Sequence, residues 1–133
     1  MSRVFADSVY YFALLLHTDQ THQRAVEITR QLKDPITTTA WVMTEVANTF
    51  AAPPFRSAFL SLLDDLQADA NVRVIAPDQE LFELGVELYR NRIDKSWSLT
   101  DCISFVVMER EGIKEALTTD HHFSQAGFRT LLR

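Results

Sequence analysis

Short β-forming runs alternate with segments of helical length along the whole chain, and that order restricts the architectures open to it. Arg3–Ala6, Ile36–Thr39, Val72–Ile75, Ala116–Thr119 and Phe128–Leu132 have the length, and mostly the β-branched or apolar character, of strands. Ser8–Leu16 is continuously apolar and long enough for a helix. Thr21–Leu32 puts Ala25, Ile28 and Leu32 on one helical face. Trp41–Ala51 reads as a helix ended by Pro53 and Pro54, and Phe55–Ala68 as another, with Phe59, Leu62, Leu63 and Leu66 aligned. Pro77 and Asp78 open a helix over Gln79–Asn91, and Ile93–Trp97 is a loop. Ser98 caps a helix running to Glu111 that Gly112 closes, and Asp120–Gln125 suits a single helical turn. Strands alternating with helices imply an α/β domain with a mostly parallel sheet.

A length of 133 residues fits one domain, 1–133, with one sizeable core. Apolar residues at 47% and charged residues at 23% exclude a disordered chain. Cys102 is the only cysteine, which rules out an internal disulfide and thiolate zinc pairs and points to a reducing, cytoplasmic setting. The N-terminal apolar run is broken by Asp7 and Ser8 and followed by His17 and Asp19, too short and too polar to span a membrane. A net charge of −5 argues against a broad nucleic-acid surface. The bases are uneven, however: Arg90, Arg92 and Lys95 lie close together, followed by Arg110 and Lys114. They form either a solvated face or a substrate contact.

The acids fall at telling positions. In open parallel sheets, ligands bind beyond the carboxyl ends of the strands. Asp7 follows the first strand and Asp120 the Ala116–Thr119 strand. Asp101 lies in the first turn of the helix that leads into the latter, and Glu45 in the helix after Ile36–Thr39. Each also has a plainer account. Asp7 and Asp120 suit helix N-caps. Asp101 completes a Ser98-x-x-Asp101 capping box, although its helix looks buried nearly all round, where a carboxylate needs a partner, a proton or a metal. Glu45 shares a face with Asn48 and Thr49 and on spacing alone reads as solvated. Taken together, four acids at one edge repel unless a cation lies among them, and oxygen ligands suit Mg²⁺ or Mn²⁺. His121 and His122 are adjacent, so their side chains are expected to diverge and take no part in a metal site. No Gly-rich phosphate loop or Ser–His–Asp arrangement competes, and Cys102 reads as a small core residue.

The segments Val4-Phe5-Ala6-Asp7-Ser8, Thr44-Glu45-Val46-Ala47, Ser98-Leu99-Thr100-Asp101-Cys102 and Leu117-Thr118-Thr119-Asp120-His121-His122-Phe123 together resemble the PIN-domain family. Within it the chain looks like the VapC-type toxin nucleases of bacterial toxin–antitoxin pairs. The resemblance spans nearly the whole chain, and its order and spacing carry more than any one motif. It implies a three-layer α/β/α fold and Mg²⁺- or Mn²⁺-dependent endonuclease action on RNA. It further implies homodimers, and a cognate antitoxin as inhibitor. Asp7, Glu45, Asp101 and Asp120 match the family's acidic quartet, and Ser8 matches the hydroxyl that follows its first acid.

The resulting expectation is in-line hydrolysis of an RNA phosphodiester. Asp7, Asp101 and Asp120 would hold the metal, Glu45 would complete the shell or orient water, and Arg90, Arg92 or Lys95 would meet the substrate backbone. The alternatives are a PIN-type RNA-processing nuclease without an antitoxin, a Mg²⁺-binding regulatory module of flavodoxin-like build, and a binding module whose acids merely cap helices.

Overall fold

A computed structural model describes residues 2–133. The elements run β1 (Val4–Ala6), α1 (Ser8–Leu15), α2 (His22–Gln31), β2 (Ile36–Thr39), α3 (Ala40–Thr49) and α4 (Pro53–Ala68). They continue with β3 (Val72–Ile75), α5 (Gln79–Asn91), α6 (Leu99–Glu111), β4 (Glu115–Leu117), α7 (His121–Gln125) and β5 (Arg129–Thr130). Every strand pairing is parallel, in the order β3-β2-β1-β4-β5.

Val4, Phe5 and Ala6 on β1 are all 0% exposed. Successive strand residues point to opposite faces, so this burial requires helices on both sides of the sheet. The result is the three-layer α/β/α arrangement. Flavodoxin-like sheets place β1 between β2 and β3. Here β1 lies between β2 and β4, which overturns the flavodoxin-like alternative.

Three local differences from the sequence reading have physical causes. Pro53 and Pro54 do not end a helix but begin α4. Proline lacks only an N–H that the first turn leaves unpaired anyway, and its fixed φ suits that position. Strand β4 stops at Leu117, and the next residue, Thr118, turns its hydroxyl to Asp7 and to the backbone N–H of Asp120. The last strand shrinks to Arg129–Thr130, paired to β4 alone at the edge of the sheet.

Helix α6 is the best buried of the helices: Asp101 to Phe105, Val107 and Met108 are all inside, while its Glu109–Glu111 end is exposed. Fully burying apolar chains such as Ile103 and Met108 stabilises by roughly 1.5–3 kcal/mol each. Helix α5 reaches it closely because Gly85 has no side chain. A Cβ there would overlap Ile103 Cγ1 and come within 3.3 Å of Ile103 Cα. This fixes α6, and with it the position of Asp101 at the carboxyl edge of the sheet.

Candidate active site

The sheet order reverses direction between β1 and β4, the crevice where open parallel sheets take ligands. Asp7 and Asp120 arrive there from the strands on either side. Asp7 occupies the N-cap position of α1, yet its side chain makes no capping hydrogen bond. Instead Oδ2 accepts the Thr118 hydroxyl at 2.8 Å, and Ser8 Oγ lies 3.5 Å from Oδ1. Only 2% of the residue is exposed. Burial pushes its pKa up to about 7, and the charges of Asp101 and Glu45 raise it further against the pull of the Thr118 hydrogen bond.

Glu45 joins from α3. The Ser8 hydroxyl donates a short hydrogen bond to Glu45 Oε1, and its oxygen lies beside Asp7, so Ser8 sits between two of the acids. The solvated placement expected from spacing is therefore incomplete: Glu45 is partly buried and tied to the α1 N-terminus.

Asp101 and Asp120 do cap their helices. The Ser98 hydroxyl accepts from Asp101 N at 3.0 Å, and Asp101 Oδ2 accepts from Ser98 N at 3.1 Å, which closes the box. Asp120 Oδ1 accepts from His122 N at 2.9 Å. Capping and clustering coexist here, because the caps face the same edge. Asp101 is 8% exposed, and its pKa is raised by burial first and by the Asp120 charge.

Two residues were missed by the sequence reading. Thr118 links the halves of the cluster: its hydroxyl donates to Asp7 and accepts from Asp120 N at 3.0 Å. The β-branched pair before Asp120 reads as strand and as part of the PIN-like segment, without a role for the Thr118 hydroxyl. His122 Nδ1 lies 3.1 Å from Asp101 Oδ2 and 3.4 Å from Asp120 Oδ1. His121 and His122 do not diverge: their rings are 4.5 Å apart at 51°, at the first two positions of α7, where the chain turns around Asp120. One ligand atom each from Asp120, His121 and His122 fall within 4.8 Å of one another, so the divergence expected of these two side chains is corrected.

The basic residues are placed less simply. The Arg92 guanidinium holds Asp94 through Nε and Nη2 at 3.0 and 3.1 Å and lies 4.9 Å over the Trp97 ring. Lys95 Nζ is 3.8 Å from the same Asp94 carboxylate. Arg90 is exposed on α5.

The profile of the PIN domain family matches residues 4–129. The chain belongs to the PIN domain family. Its fold is similar to that of VapC20 of Mycobacterium tuberculosis, described as a sarcin-ricin loop cleaving toxin, with 25% identity and a TM-score of 0.86. That match covers 94% of this chain and 95% of the other. FitAcB from Neisseria gonorrhoeae shares the fold at 15% identity and a TM-score of 0.68, over 96% of this chain and 95% of that one. VapBC2 from Rickettsia felis, bound to a DNA fragment from its promoter, does so at 11% identity and 0.67, over 96% of each chain. No curated protein matches the chain in sequence. As a PIN protein of VapC type, the chain is a nuclease, and the resemblance in its four acidic segments holds at the level of family and fold.

The donor set of this PIN site fits a hard divalent cation. Four carboxylates are joined through Ser8, Thr118 and His122, and the buried one among them, Asp7, is held by the Thr118 hydroxyl and the Ser8 backbone N–H, with no cationic side chain paired to it among the described residues. A buried carboxylate in that state is costly unless it is protonated or meets a metal.

Proposed function

We propose that this chain is a divalent-metal-dependent endoribonuclease formed as a single domain over 1–133, the toxin half of a toxin–antitoxin pair. The observation that carries the reading is Asp7, buried beside Asp101 and Glu45 with no capping role and a pKa raised to about 7. An acid serving only the fold has no reason to be kept in that position.

Asp7, Asp101 and Asp120 would hold Mg²⁺ or Mn²⁺, with Glu45 completing the set. Such a cation, when bound, supplies an acidified water and neutralises charge on the phosphodiester. The chain's own groups do the rest. Thr118 orients Asp7 through its Oδ2, and the Ser8 hydroxyl fixes Glu45 at the rim, where it can accept a proton from an attacking water. Ser98 locks Asp101 through the capping box. Arg90 and Lys95 are the bases offered to the RNA backbone. Arg92 is engaged by Asp94 and Trp97, so it contributes by shaping the loop before α6.

An antitoxin partner is supported by the neighbours, which include toxin–antitoxin complexes. Helix α4 suits such a partner or a second copy, since none of its residues is fully buried and Phe55 and Leu60 are 50% and 56% exposed. No helix among the described residues is long and apolar enough to cross a membrane, in keeping with a cytoplasmic site of action.

The test is cleavage of a mixed ribosomal and transfer RNA pool, with sarcin–ricin loop RNA as a separate substrate because VapC20 is described as cutting that loop. Discrete products that need Mg²⁺ or Mn²⁺, vanish with EDTA and are absent with Asp7→Asn are expected. Equal cutting by Asp7→Asn would overturn the assignment.

A further inference from the structure

The outer edge of the acidic cluster is not made of carboxylates alone. His122 Nδ1 lies 3.1 Å from Asp101 Oδ2 and 3.4 Å from Asp120 Oδ1, and His121 Nδ1 lies 3.7 Å from Asp120 Oδ1. Adjacent ligand atoms around an octahedral ion bound at about 2.1 Å are about 3 Å apart. The spacings at His122 are close to that value, and the 3.7 Å at His121 is longer. The His121 side chain is 64% exposed, yet its ring is drawn in against His122 and the Asp120 carboxylate.

We infer that His121 and His122 belong to the metal-binding set on the Asp101–Asp120 side, giving a mixed nitrogen–oxygen pocket that takes a first-row transition cation in preference to Mg²⁺. The inference rests on the proposed carboxylate metal site and refines it. Its chemical logic is one of charge and softness. Asp101 already feels the charge of Asp120, and Asp7 that of Asp101 and Glu45. A neutral imidazole adds a donor without adding another negative charge. It is also a softer ligand than carboxylate, and imidazole nitrogen raises affinity along the first-row series while offering little to Mg²⁺. Ser98 supports the geometry from the other side, because its capping contact holds the same Asp101 oxygen that faces His122.

The experiment uses Mn²⁺ alone as the probe, with no RNA and no activity readout. Mn²⁺ is titrated into the metal-free protein and followed by electron paramagnetic resonance, and the bound ion is examined by pulsed spectroscopy for nitrogen coupling. Histidine labelled with ¹⁵N identifies any coupling as imidazole without altering the fold. Coupling is expected in the wild type, changed in the labelled protein, and lost in the double variant His121→Ala, His122→Ala. In that variant Mn²⁺ affinity is expected to fall about tenfold or more, while Mg²⁺ affinity, measured by competition, changes less than about twofold. His17 and His22 remain in the double variant, so coupling that persists there overturns the assignment. Bound Mn²⁺ without histidine coupling in the wild type also overturns it and leaves the carboxylate site standing: the contact is then a hydrogen bond that orients Asp101. Failure of Mn²⁺ to bind at all overturns both readings together.

Discussion

Asp7 shows how one side chain can be read for its chemistry. An aspartate at an N-cap ordinarily accepts from the first helical turn, but this one turns to Thr118 and Ser8 instead. Its raised pKa links stability to pH in a definite direction. The folded value of about 7 exceeds the unfolded value of 3.8, so the metal-free fold binds the proton more tightly than the unfolded chain does. The contribution is fully present below about pH 4 and is lost as pH rises through about 7, amounting to at most about 4 kcal/mol. Denaturant titrations of metal-free protein are expected to show the difference between Asp7→Asn and wild type growing in the variant's favour across that window. A constant difference would mean that Asp7 is not held as the geometry indicates. The same substitution is expected to reduce cleavage by at least about a hundredfold, the scale of losing a metal ligand or its immediate support. Metal titrations should likewise show affinity rising with pH until Asp7 is ionised, because the cation competes with its proton.

At the scale of elements, α6 carries Asp101 and two contacts hold it in place. Removing the Ser98 hydroxyl by Ser98→Ala takes away one half of the capping box, at a cost of about 1 kcal/mol. Because the box also fixes Asp101, cleavage should fall by more than the loss of stability explains, and kinetics at a temperature where both proteins are folded would separate the two. Gly85→Ala tests the other contact. Alanine favours the helix by up to about 1 kcal/mol, but the overlap with Ile103 is expected to win, with a net loss of about 1–3 kcal/mol seen as a lower denaturation midpoint. An unchanged midpoint would show that α5 and α6 can slide apart without cost. Helix α4 behaves differently. Its Phe55 and Leu60 are half exposed, and Phe55 meets the buried Phe50 ring edge-on at 6.5 Å. Leu60→Glu should therefore leave stability within about 0.5 kcal/mol of the wild type, while size-exclusion shows whether a second copy or a coexpressed antitoxin is lost.

For the molecule as a whole, the fold holds together charges that repel. Asp7 and Asp101 are both shifted upward in pKa by burial and by neighbouring carboxylates. A cation that binds only the folded state relieves this and adds stability by mass action, about 2.7 kcal/mol at a hundredfold excess over its dissociation constant. Thermal unfolding in Mg²⁺ against EDTA should show that gain above pH 7 and a much smaller one at pH 5, where Asp7 keeps its proton. The net charge of −5 argues against a broad basic face, so an RNA substrate of the proposed nuclease would be met in the neighbourhood of the site.

Much of this was legible in the sequence, for identifiable reasons. The strand Val72–Ile75 and the helix Gln79–Asn91 match element for element, because β-branched runs and amphipathic spacing with a capping Asp78 are local signals. Asp7, Asp101 and Asp120 could be set at one edge because a parallel sheet puts all its strand ends together. Pro53–Pro54 was ambiguous, since a proline pair can close one helix or open the next, and only the path of the chain chooses. Glu45 looked solvated because its partner, Ser8, is 37 residues away and meets it only when α1 and α3 pack. Thr118 and His122 were invisible for the same reason: their roles are contacts with Asp7, at a separation of 111 residues, and with Asp101. Local composition therefore settled the elements, their order and the edge at which acids could gather. Which side chains share the pocket, and that imidazoles stand among the carboxylates, was decided by packing, because contacts between residues distant in the chain depend on how whole helices and strands come to rest against each other.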